Sequence, residues 1–216
     1  MKQIFTNFYG FDDIKITKKP IYVEDGIIVD EFAKDEDTEV IDCNNLALVP
    51  AFTDLHVHFR DPGFTYKEDI ETGSRAALKG GFSSVLLMGN TNPPVSSPDV
   101  YDDIIRRSKD LDLIDVEQVY TITENLGGKS LDHLEKMPES VKFLSDDGRG
   151  VNDDNIMYEA ILKAKELGVK LALHEEVDRV SMKDYEIAED AMTLRDCYYA
   201  YKLNCPVHFS HVSTKG

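Results

Sequence analysis

The sequence predicts an α/β fold in which a parallel sheet follows a small all-β unit. From residue 52 onward, apolar runs of strand length alternate with segments of helix length, and strands separated by helices pair in parallel through crossover connections. Runs such as Val85-Leu86-Leu87-Met88 are continuously apolar, which is typical of strands covered on both faces. The first fifty residues contain only short alternating runs, and Pro50 ends that pattern. These three observations define the predicted fold class.

The first predicted domain covers residues 1–50. Asp25-Gly26 lies between Ile21-Tyr22-Val23 and Ile27-Ile28-Val29, and Asp-Gly between two β-branched runs indicates a hairpin. We therefore predict a small β unit over 1–50, followed by a second domain over 51–216.

The second domain is expected to contain six strands, each a short apolar run that ends in turn-forming or polar residues. They are expected at 52–59, 83–88, 116–123, 141–144, 170–174 and 206–211.

Helices are expected between these strands, where start and stop signals occur. Gly80-Gly81 is a favourable C-terminal stop, and Pro98 suits the first turn of a helix because its missing N–H needs no partner there. The expected helices lie at 67–78, from Ser97-Pro98 onward, near 130–136, from a cap at Asn152 or Asp153 to Gly168, and at 189–203.

Two architectures fit this alternation: an open doubly wound sheet and a (β/α)8 barrel. No G-x-G-x-x-G or G-x-x-x-x-G-K-[ST] motif follows a strand. Their absence argues against the nucleotide-binding open sheets.

Composition excludes several classes of function. Formal net charge is −17, from 41 acidic and 24 basic residues, so the long-range field repels nucleic acid and anionic membranes. The three cysteines, Cys43, Cys197 and Cys205, include no C-x-x-C pair, which predicts neither a disulfide framework nor a thiolate zinc site. The sequence has no apolar run of about 18 residues and no signal-peptide pattern, so we expect a cytoplasmic protein.

Polar side chains able to do chemistry follow the ends of successive predicted strands. A barrel places all such ends on one rim, where this fold builds active sites. The strand-end residues are His56, His58, Asn90, Asn92, Asp146, Asp147, His174 and His211.

Each histidine in the sequence also has an ordinary structural role as an alternative to metal binding. His56 and His58 are two residues apart, so on a strand they leave from the same face and can bind one metal ion. His208 and His211 are three apart and face opposite ways, and we choose His211 because it lies nearer the strand end. His133 lies in a polar segment and is expected at the surface.

The acidic and amide residues also have ordinary alternatives, since Asn90, Asn92 and Asp146-Asp147-Gly148 are all compatible with simple turns. Four histidines and a carboxylate on one rim nevertheless predict a two-metal hydrolytic site. Imidazole and carboxylate suit zinc, with manganese or cobalt as alternatives. Two such ions can activate water and polarise a carbonyl, which is the chemistry of amide-bond hydrolysis or its reverse.

The segment Asp54-Leu55-His56-Val57-His58-Phe59-Arg60-Asp61-Pro62-Gly63 closely resembles the signature of the dihydroorotases, bacterial class I type, in the amidohydrolase superfamily. Further matching segments follow in the family's order: 89–93, 145–148, 188–190 and 208–216. The resemblance implies an incomplete (β/α)8 TIM barrel of about six strands with a small N-terminal β-sandwich part. It also implies the reversible cyclisation of N-carbamoyl-L-aspartate to L-dihydroorotate in pyrimidine biosynthesis.

The resemblance further implies a role for each candidate metal ligand. His56 and His58 would hold one zinc ion, His174 and His211 would hold the other, and Asp147 would bridge them. Related enzymes bridge their metals with a carbamylated lysine instead.

Lys142 is the lysine that could take this bridging role here, but it lies one residue out of register with the lysine pattern. Asp147 is therefore the favoured bridge, and Lys142 the alternative. The resemblance also implies that Arg60 and Asn92 grip the substrate carboxylate, for which the guanidinium fork is well suited.

The sequence also departs from the family pattern. The family's later Asp-His-Ala-Pro-His motif, which supplies a further metal ligand and the general acid/base, does not occur in these 216 residues. A barrel of six strands would expose sheet edges and apolar faces. We therefore expect an N-terminal fragment that is inactive alone, with its catalytic aspartate beyond Gly216.

The expected partners are a small-molecule substrate, a second copy in a homodimer, and aspartate transcarbamoylase. Two other functions stay open. One is a hydantoinase or allantoinase activity, against which Arg60 and Asp147 argue. The other is a non-catalytic dihydroorotase-like partner of aspartate transcarbamoylase, against which the five metal ligands argue.

Overall fold

The computed structural model of this chain describes residues 1–12, 15–17 and 19–216. The polypeptide separates into two compact units, Met1–Ala51 and Phe52–Gly216. The division falls after Ala51, one residue beyond Pro50, which ends the N-terminal β pattern. None of the helices in the described ranges is long and apolar enough to cross a membrane.

The first unit contains a four-stranded sheet in the order β5-β4-β1-β6 and a separate antiparallel pair, β2 and β3. The predicted hairpin is confirmed as β4 and β5. Asp25 and Gly26 both have positive φ, at 50° and 80°, as a two-residue type I′ turn requires. The strands are β1 Lys2–Thr6, β2 Gly10–Asp12, β3 Lys15–Thr17, β4 Ile21–Glu24, β5 Ile27–Val29 and β6 Glu39–Asp42.

The second unit alternates strands with helices, as the sequence predicts. Its strands are β7 Phe52–Val57, β8 Phe82–Leu87, β9 Asp115–Gln118, β10 Phe143–Leu144, β11 Lys170–Leu173 and β12 Val207–Phe209. Its helices are α1 Ile70–Lys79, α2 Pro98–Leu111, α3 Asp154–Leu167, α4 Asp178–Ser181 and α5 Tyr185–Leu203, with short 3-10 turns at Glu124–Leu126 and Asp132–Lys136.

Local capping explains where two helices begin. The Asp69 carboxylate accepts a hydrogen bond from the Thr72 N–H and forms a capping box, so α1 begins at residue 70 rather than at the predicted 67. Asp184 accepts from the Ile187 N–H, so α5 begins four residues before the predicted 189. The short helix α4 was not predicted, because four residues are too few to carry a periodic pattern.

The six strands of the second unit run parallel and in chain order. They form the sheets β7-β8-β9 and β10-β11-β12, which a parallel bridge joins between Tyr120 and Leu144. An open doubly wound sheet reverses its strand order at a switch point, and no such reversal occurs among the described strands. The carboxyl ends of all six strands therefore lie along one edge.

β8 is buried on both faces, which is why its sequence shows no alternation. Val85 and Leu87 belong to the large apolar cluster between strands and helices, whereas Leu86 and Met88 pack with Val119 on the other face. A continuous apolar run is the expected pattern for such a strand.

Candidate metal centre

Four histidines surround the carboxylate of Asp147 at the carboxyl ends of the strands. From the first sheet, His56 Nε2 lies 3.3 Å from Asp147 Oδ1 and His58 Nε2 lies 3.4 Å from Oδ2. From the second sheet, His174 Nδ1 lies 3.4 Å and His211 Nε2 3.2 Å from Oδ1. His56 lies in β7 and His58 directly after it, whereas Asp147, His174 and His211 lie in the loops after β10, β11 and β12.

These side chains form two potential metal-binding groups that share Asp147. One is His56, His58 and Asp147, and the other is Asp147, His174 and His211, with the ligand atoms of each group within 4.8 Å of one another. In a tetrahedral site with metal–ligand bonds of about 2.0–2.1 Å, neighbouring ligand atoms lie about 3.3 Å apart. The observed separations therefore fit two divalent ions bridged by one carboxylate.

The surroundings keep Asp147 ionised. Burial alone would raise its pKa, but hydrogen bonds from His174, His56 and His211 hold the pKa of Asp147 well below its ordinary value. Burial lowers the pKa of His58. An ionised carboxylate and a neutral imidazole are the forms that bind metals.

Asn90 orients two of these ligands at once. Its Oδ1 lies 3.0 Å from His58 Nδ1, and its Nδ2 donates to Asp147 Oδ2 at 3.0 Å. This pairing places a proton on His58 Nδ1 and leaves the Nε2 lone pair facing Asp147. The same Oδ1 accepts a hydrogen bond from Arg60 Nη1 at 3.4 Å, so the Asn90 amide connects the candidate metal ligands to the Arg60 guanidinium.

Glu176 orients a third ligand. Its Oε2 lies 3.0 Å from His174 Nε2, which directs Nδ1 toward Asp147. Carboxylate–histidine pairs of this kind fix the ring and its tautomer at metal sites. Glu176 was not among the predicted site residues, although its position two residues after a strand-end histidine is a usable signal.

The loop that carries Arg60 is tied to α2 by a buried ion pair. Arg60 has a positive φ of 60°, and the next residue, Asp61, is 7% exposed. The Asp61 carboxylate accepts two hydrogen bonds of 2.8 Å from the guanidinium of Arg107. This bidentate pair fixes the backbone directly after Arg60.

Other candidates lie outside this group. The Asn92 N–H donates to the Pro62 carbonyl at 3.0 Å, and within the described residues no hydrogen bond joins the Asn92 side chain to the metal ligands. Asp146 is buried against Thr123, and that burial raises the pKa of Asp146 to about 6. Of the two histidines near the end of β12, His211 faces Asp147, whereas His208 is exposed on the strand.

Lys142 lies away from the centre and pairs with Glu117. Its neighbour Phe143 packs against Leu86 and Met88 on the inner face of the sheet, so strand alternation turns Lys142 the other way. This geometry favours Asp147 over Lys142 as the bridging residue.

The predicted surface position of His133 is wrong. His133 is 8% exposed, its Nε2 lies 3.0 Å from the Thr121 carbonyl oxygen, and its ring stacks on Tyr120. Burial lowers its pKa. His133 is buried because it packs against Thr121 and Tyr120, although the segment around it is polar.

The segment after His211 is held by Glu189 of α5, which is 3% exposed. Its Oε1 accepts hydrogen bonds from the backbone N–H groups of Ser213 at 2.7 Å and Thr214 at 3.0 Å. Burial alone would raise the pKa of Glu189, but the hydrogen bonds from Ser213 and Thr214 bring it down to about 2.

Replacing Glu189 with glutamine is expected to lower the free energy of unfolding at pH 7 by about 1–3 kcal/mol, because an ionised acceptor is lost. A lowered pKa stabilises the fold above the unfolded-state value of about 4.3, and this stabilisation is lost as pH falls toward 2. The deficit should therefore shrink over that range in urea titrations. Glu159→Gln, at an exposed position of α3, is the control, and a deficit that stays constant with pH would contradict the prediction.

Replacing Asn90 with alanine is expected to weaken metal binding about 10- to 100-fold, as losses of residues that orient metal ligands do. The measurement is a competition titration against a chromophoric chelator. Asn92→Ala, two residues away, is the matched control and should leave metal affinity unchanged. Equal losses in the two variants would show that the loop as a whole, rather than the Asn90 amide, supports the ligands.

Comparison with known proteins identifies the family. A family model described as Dihydro-orotase-like matches residues 46–193. The chain belongs to the dihydroorotase-like family. Dihydroorotases from Clostridium botulinum and Clostridioides difficile are 45% and 39% identical to this dihydroorotase-like chain, over 100% and 83% of its length.

Those matches cover 55% and 47% of the two dihydroorotases, so the chain spans about half the length of the curated relatives it matches. An L-hydantoinase from Arthrobacter aurescens has a similar fold, with a TM-score of 0.80 and 19% identity over 98% of this chain and 53% of that one. A dihydroorotase from Saccharomyces cerevisiae gives a TM-score of 0.58 and 18% identity, over 76% and 48%. At these identities the structural matches establish the fold, and the dihydroorotase-like assignment comes from sequence.

Proposed function

We propose that this chain provides the metal-binding rim of a zinc-dependent dihydroorotase, which interconverts N-carbamoyl-L-aspartate and L-dihydroorotate in pyrimidine biosynthesis. The observation that carries the proposal is the Asp147 carboxylate with four histidine nitrogens 3.2–3.4 Å away, in a chain of the dihydroorotase-like family. In this proposal residues 51–216 are six strands of an incomplete (β/α)8 barrel, and residues 1–50 are its β-sandwich part. The chain-order strand arrangement supports the barrel.

The proposed metal ligands are His56 and His58 for one zinc ion, His174 and His211 for the other, and Asp147 for both. Two ions held there would supply Lewis acidity and water activation for opening or closing a cyclic amide. The protein contributes the fixed spacing of these ligands, because Asn90 and Glu176 hold the rings.

Arg60 is the proposed clamp for the substrate carboxylate, with Asn92 as its partner. Arg60 is half-buried and shares the Asn90 amide with His58, so a carboxylate bound to its guanidinium lies beside the metal rim. Asp61, the next residue in the chain, fixes this loop through its two hydrogen bonds from Arg107. A guanidinium binds a carboxylate through two parallel hydrogen bonds, which would orient the substrate.

The general acid/base is proposed to come from an aspartate outside these 216 residues, so the chain alone should not turn over dihydroorotate. We further propose a cytoplasmic location, zinc as the metal, and association with a second copy and with aspartate transcarbamoylase. The small-molecule substrate follows from the proposed activity.

A two-part experiment tests this function. The chain alone is expected to bind two zinc ions by elemental analysis and to show no hydrolysis of dihydroorotate. The chain fused to the carboxy-terminal part of a dihydroorotase relative is expected to hydrolyse it, and the fusion carrying Asp147→Ala is not. Turnover by the chain alone would contradict the proposed source of the acid/base, and the absence of bound zinc would contradict the metal centre.

A hydantoinase-type activity is the second candidate, favoured by the likeness to the L-hydantoinase. That likeness rests on 19% identity, against 45% to a dihydroorotase over the whole chain. The same fusion distinguishes the two, because a hydantoinase would hydrolyse hydantoin in preference to dihydroorotate. A fusion that binds zinc and hydrolyses neither would support the third candidate, a non-catalytic partner of aspartate transcarbamoylase.

A further inference from the structure

One side of α5 contacts the chain just after each of the last three strands. The contacts are made by Glu189, Met192 and Arg195, which are three residues apart and so lie on successive turns. The segments after β10, β11 and β12 carry the candidate ligands Asp147, His174 and His211. One helix therefore touches every segment that supplies a ligand to the second ion, the one proposed at His174 and His211.

Two of these contacts fix the backbone close to a histidine ligand. The buried carboxylate of Glu189 holds the segment after β12 through two backbone N–H groups. The buried sulfur of Met192 accepts a hydrogen bond from the Glu176 N–H at 3.2 Å. Glu176 in turn lies against His174 Nε2 and orients that ring.

The guanidinium of Arg195 makes the third contact, to the loop after β10. Its Nε and Nη2 donate to the two carboxylate oxygens of Asp196, at 2.6 Å and 3.0 Å. The same Nη2 donates to the Val151 carbonyl at 2.7 Å, and Nη1 donates to the Asn152 carbonyl at 3.5 Å. Asp196, which is 2% exposed, therefore holds the guanidinium against the backbone of this loop.

Asn152 connects the loop after β10 to the loop after β11. Its Oδ1 accepts a hydrogen bond from the Asp178 N–H at 3.0 Å, and its Nδ2 donates to the Glu176 carbonyl at 3.5 Å. The two backbones also approach closely at Gly150, where a Cβ atom would lie 2.8 Å from the His174 carbonyl oxygen. A displacement of the first loop would therefore be transmitted to the backbone of His174 and Glu176.

The ligands of the other ion are held from a different part of the fold. Asn90, which follows β8, bonds to both His58 and Asp147. In the described part of the chain no hydrogen bond or ion pair joins α5 to His56 or His58. Loosening the contacts of α5 should therefore affect the second ion and spare the first.

We propose that Glu189, Met192 and Arg195 form a platform on α5 that positions the ligands of the second ion, with Arg195 as its central positioning residue. This inference rests on the proposed function, because it assumes that Asp147, His174 and His211 hold an ion. Arg195 lies outside the ligand group and acts through the backbone of two loops. Arginine suits this position because its planar fork binds a carboxylate and a backbone carbonyl together.

Replacing Arg195 with methionine tests the platform. In a competition titration against a chromophoric chelator, the second zinc ion is expected to bind about 10- to 100-fold more weakly, as when other residues that orient metal ligands are lost. The first ion should keep its wild-type affinity, because Asn90 still holds His58 and Asp147. Circular dichroism checks that the variant is folded.

Nitrogen-15 spectra of the histidine rings identify which ion is weakened. Free Zn²⁺ is buffered between the second-ion dissociation constants of the wild type and of Arg195→Met. At that concentration zinc is expected to shift the rings of all four ligand histidines in the wild type. In the variant it should shift His56 and His58 and leave His174 and His211 largely unshifted. A general loss of stability would not separate the two pairs in this way.

Two further variants separate positioning from stability. Arg195→Met leaves the buried Asp196 carboxylate unpaired, which is costly, so the double variant with Asp196→Asn should be more stable and yet equally weak in the second ion. Ile104→Ala creates a cavity at a fully buried position of α2, which also lowers stability. It is the control and should bind both ions as the wild type does.

Arg195→Lys separates the shape of the guanidinium from its charge. Lysine keeps a positive charge beside Asp196 but has no planar fork, so the second ion should stay weakened. Full recovery of zinc binding in Arg195→Lys, or wild-type zinc binding in the double variant, would overturn the platform and leave the metal centre intact. A wild-type chain that binds fewer than two zinc ions would instead contradict the metal centre, and the platform with it.

Discussion

Replacing Asp147 with alanine is expected to abolish binding of the second metal ion and to weaken the first by at least about 100-fold. Both ligand groups share this carboxylate, so its loss removes a ligand from each and leaves two imidazoles per ion. It also removes the negative charge that would offset two divalent cations in this site. Elemental analysis after gel filtration and isothermal titration with Zn²⁺ measure the two effects.

The neighbouring carboxylate provides the control for this experiment. Asp146 is hydrogen-bonded to Thr123 rather than to the histidines, so Asp146→Asn should retain two ions. Any effect of this change should instead be a lower free energy of unfolding. Two bound ions in Asp147→Ala would exclude this residue as the bridge. In that event a further ligand would have to be sought among the groups around the rim.

Replacing Arg107 with methionine is expected to lower the free energy of unfolding by about 3–5 kcal/mol. The change leaves the Asp61 carboxylate, which is 7% exposed, without its bidentate partner, and an uncompensated buried charge is costly. For a chain of this size each kcal/mol corresponds to about 2–4 °C, so the melting temperature should fall by roughly 10 °C. Urea titration and calorimetry measure these quantities.

Arg106→Met is the matched control, one residue along α2. Arg106 is exposed and pairs with Asp103 and Asp110 at the surface, where ion pairs contribute up to about 1 kcal/mol. The double variant Asp61→Asn with Arg107→Met should recover part of the loss, because no unpaired charge remains. Equal losses of unfolding free energy in Arg106→Met and Arg107→Met would show that the Asp61–Arg107 ion pair does not have the predicted stabilising effect.

The parts of the structure that depend on local pattern were predictable from sequence. The apolar run of β8 and the turn at Asp25-Gly26 were located correctly, because they depend on burial and on backbone preferences near each residue. The boundaries of α1 and α5 were less accurate, since Asp69 and Asp184 were not recognised as caps. His133 was misplaced because its burial depends on a tertiary contact with Thr121.

The candidate site shows the same division. Strand-end position located the four histidines and Asp147, which the structure brings together. The orienting contact between Asn90 and Asp147 links residues 57 positions apart, and the pair between Asp61 and Arg107 links residues 46 apart. No local pattern encodes such contacts, because they exist only once the strands are aligned.

The bridge between Tyr120 and Leu144 would give the proposed metal centre a mechanical role as well as a chemical one. His56 and His58 lie at the end of β7 in one three-stranded sheet, whereas Asp147, His174 and His211 follow strands of the other. Ions bound between them would therefore link the two sheets at the position where a bridge of only one residue pair connects their backbones. With the ions removed, the two halves should exchange amide hydrogens as separate cooperative units, and with the ions bound they should open together.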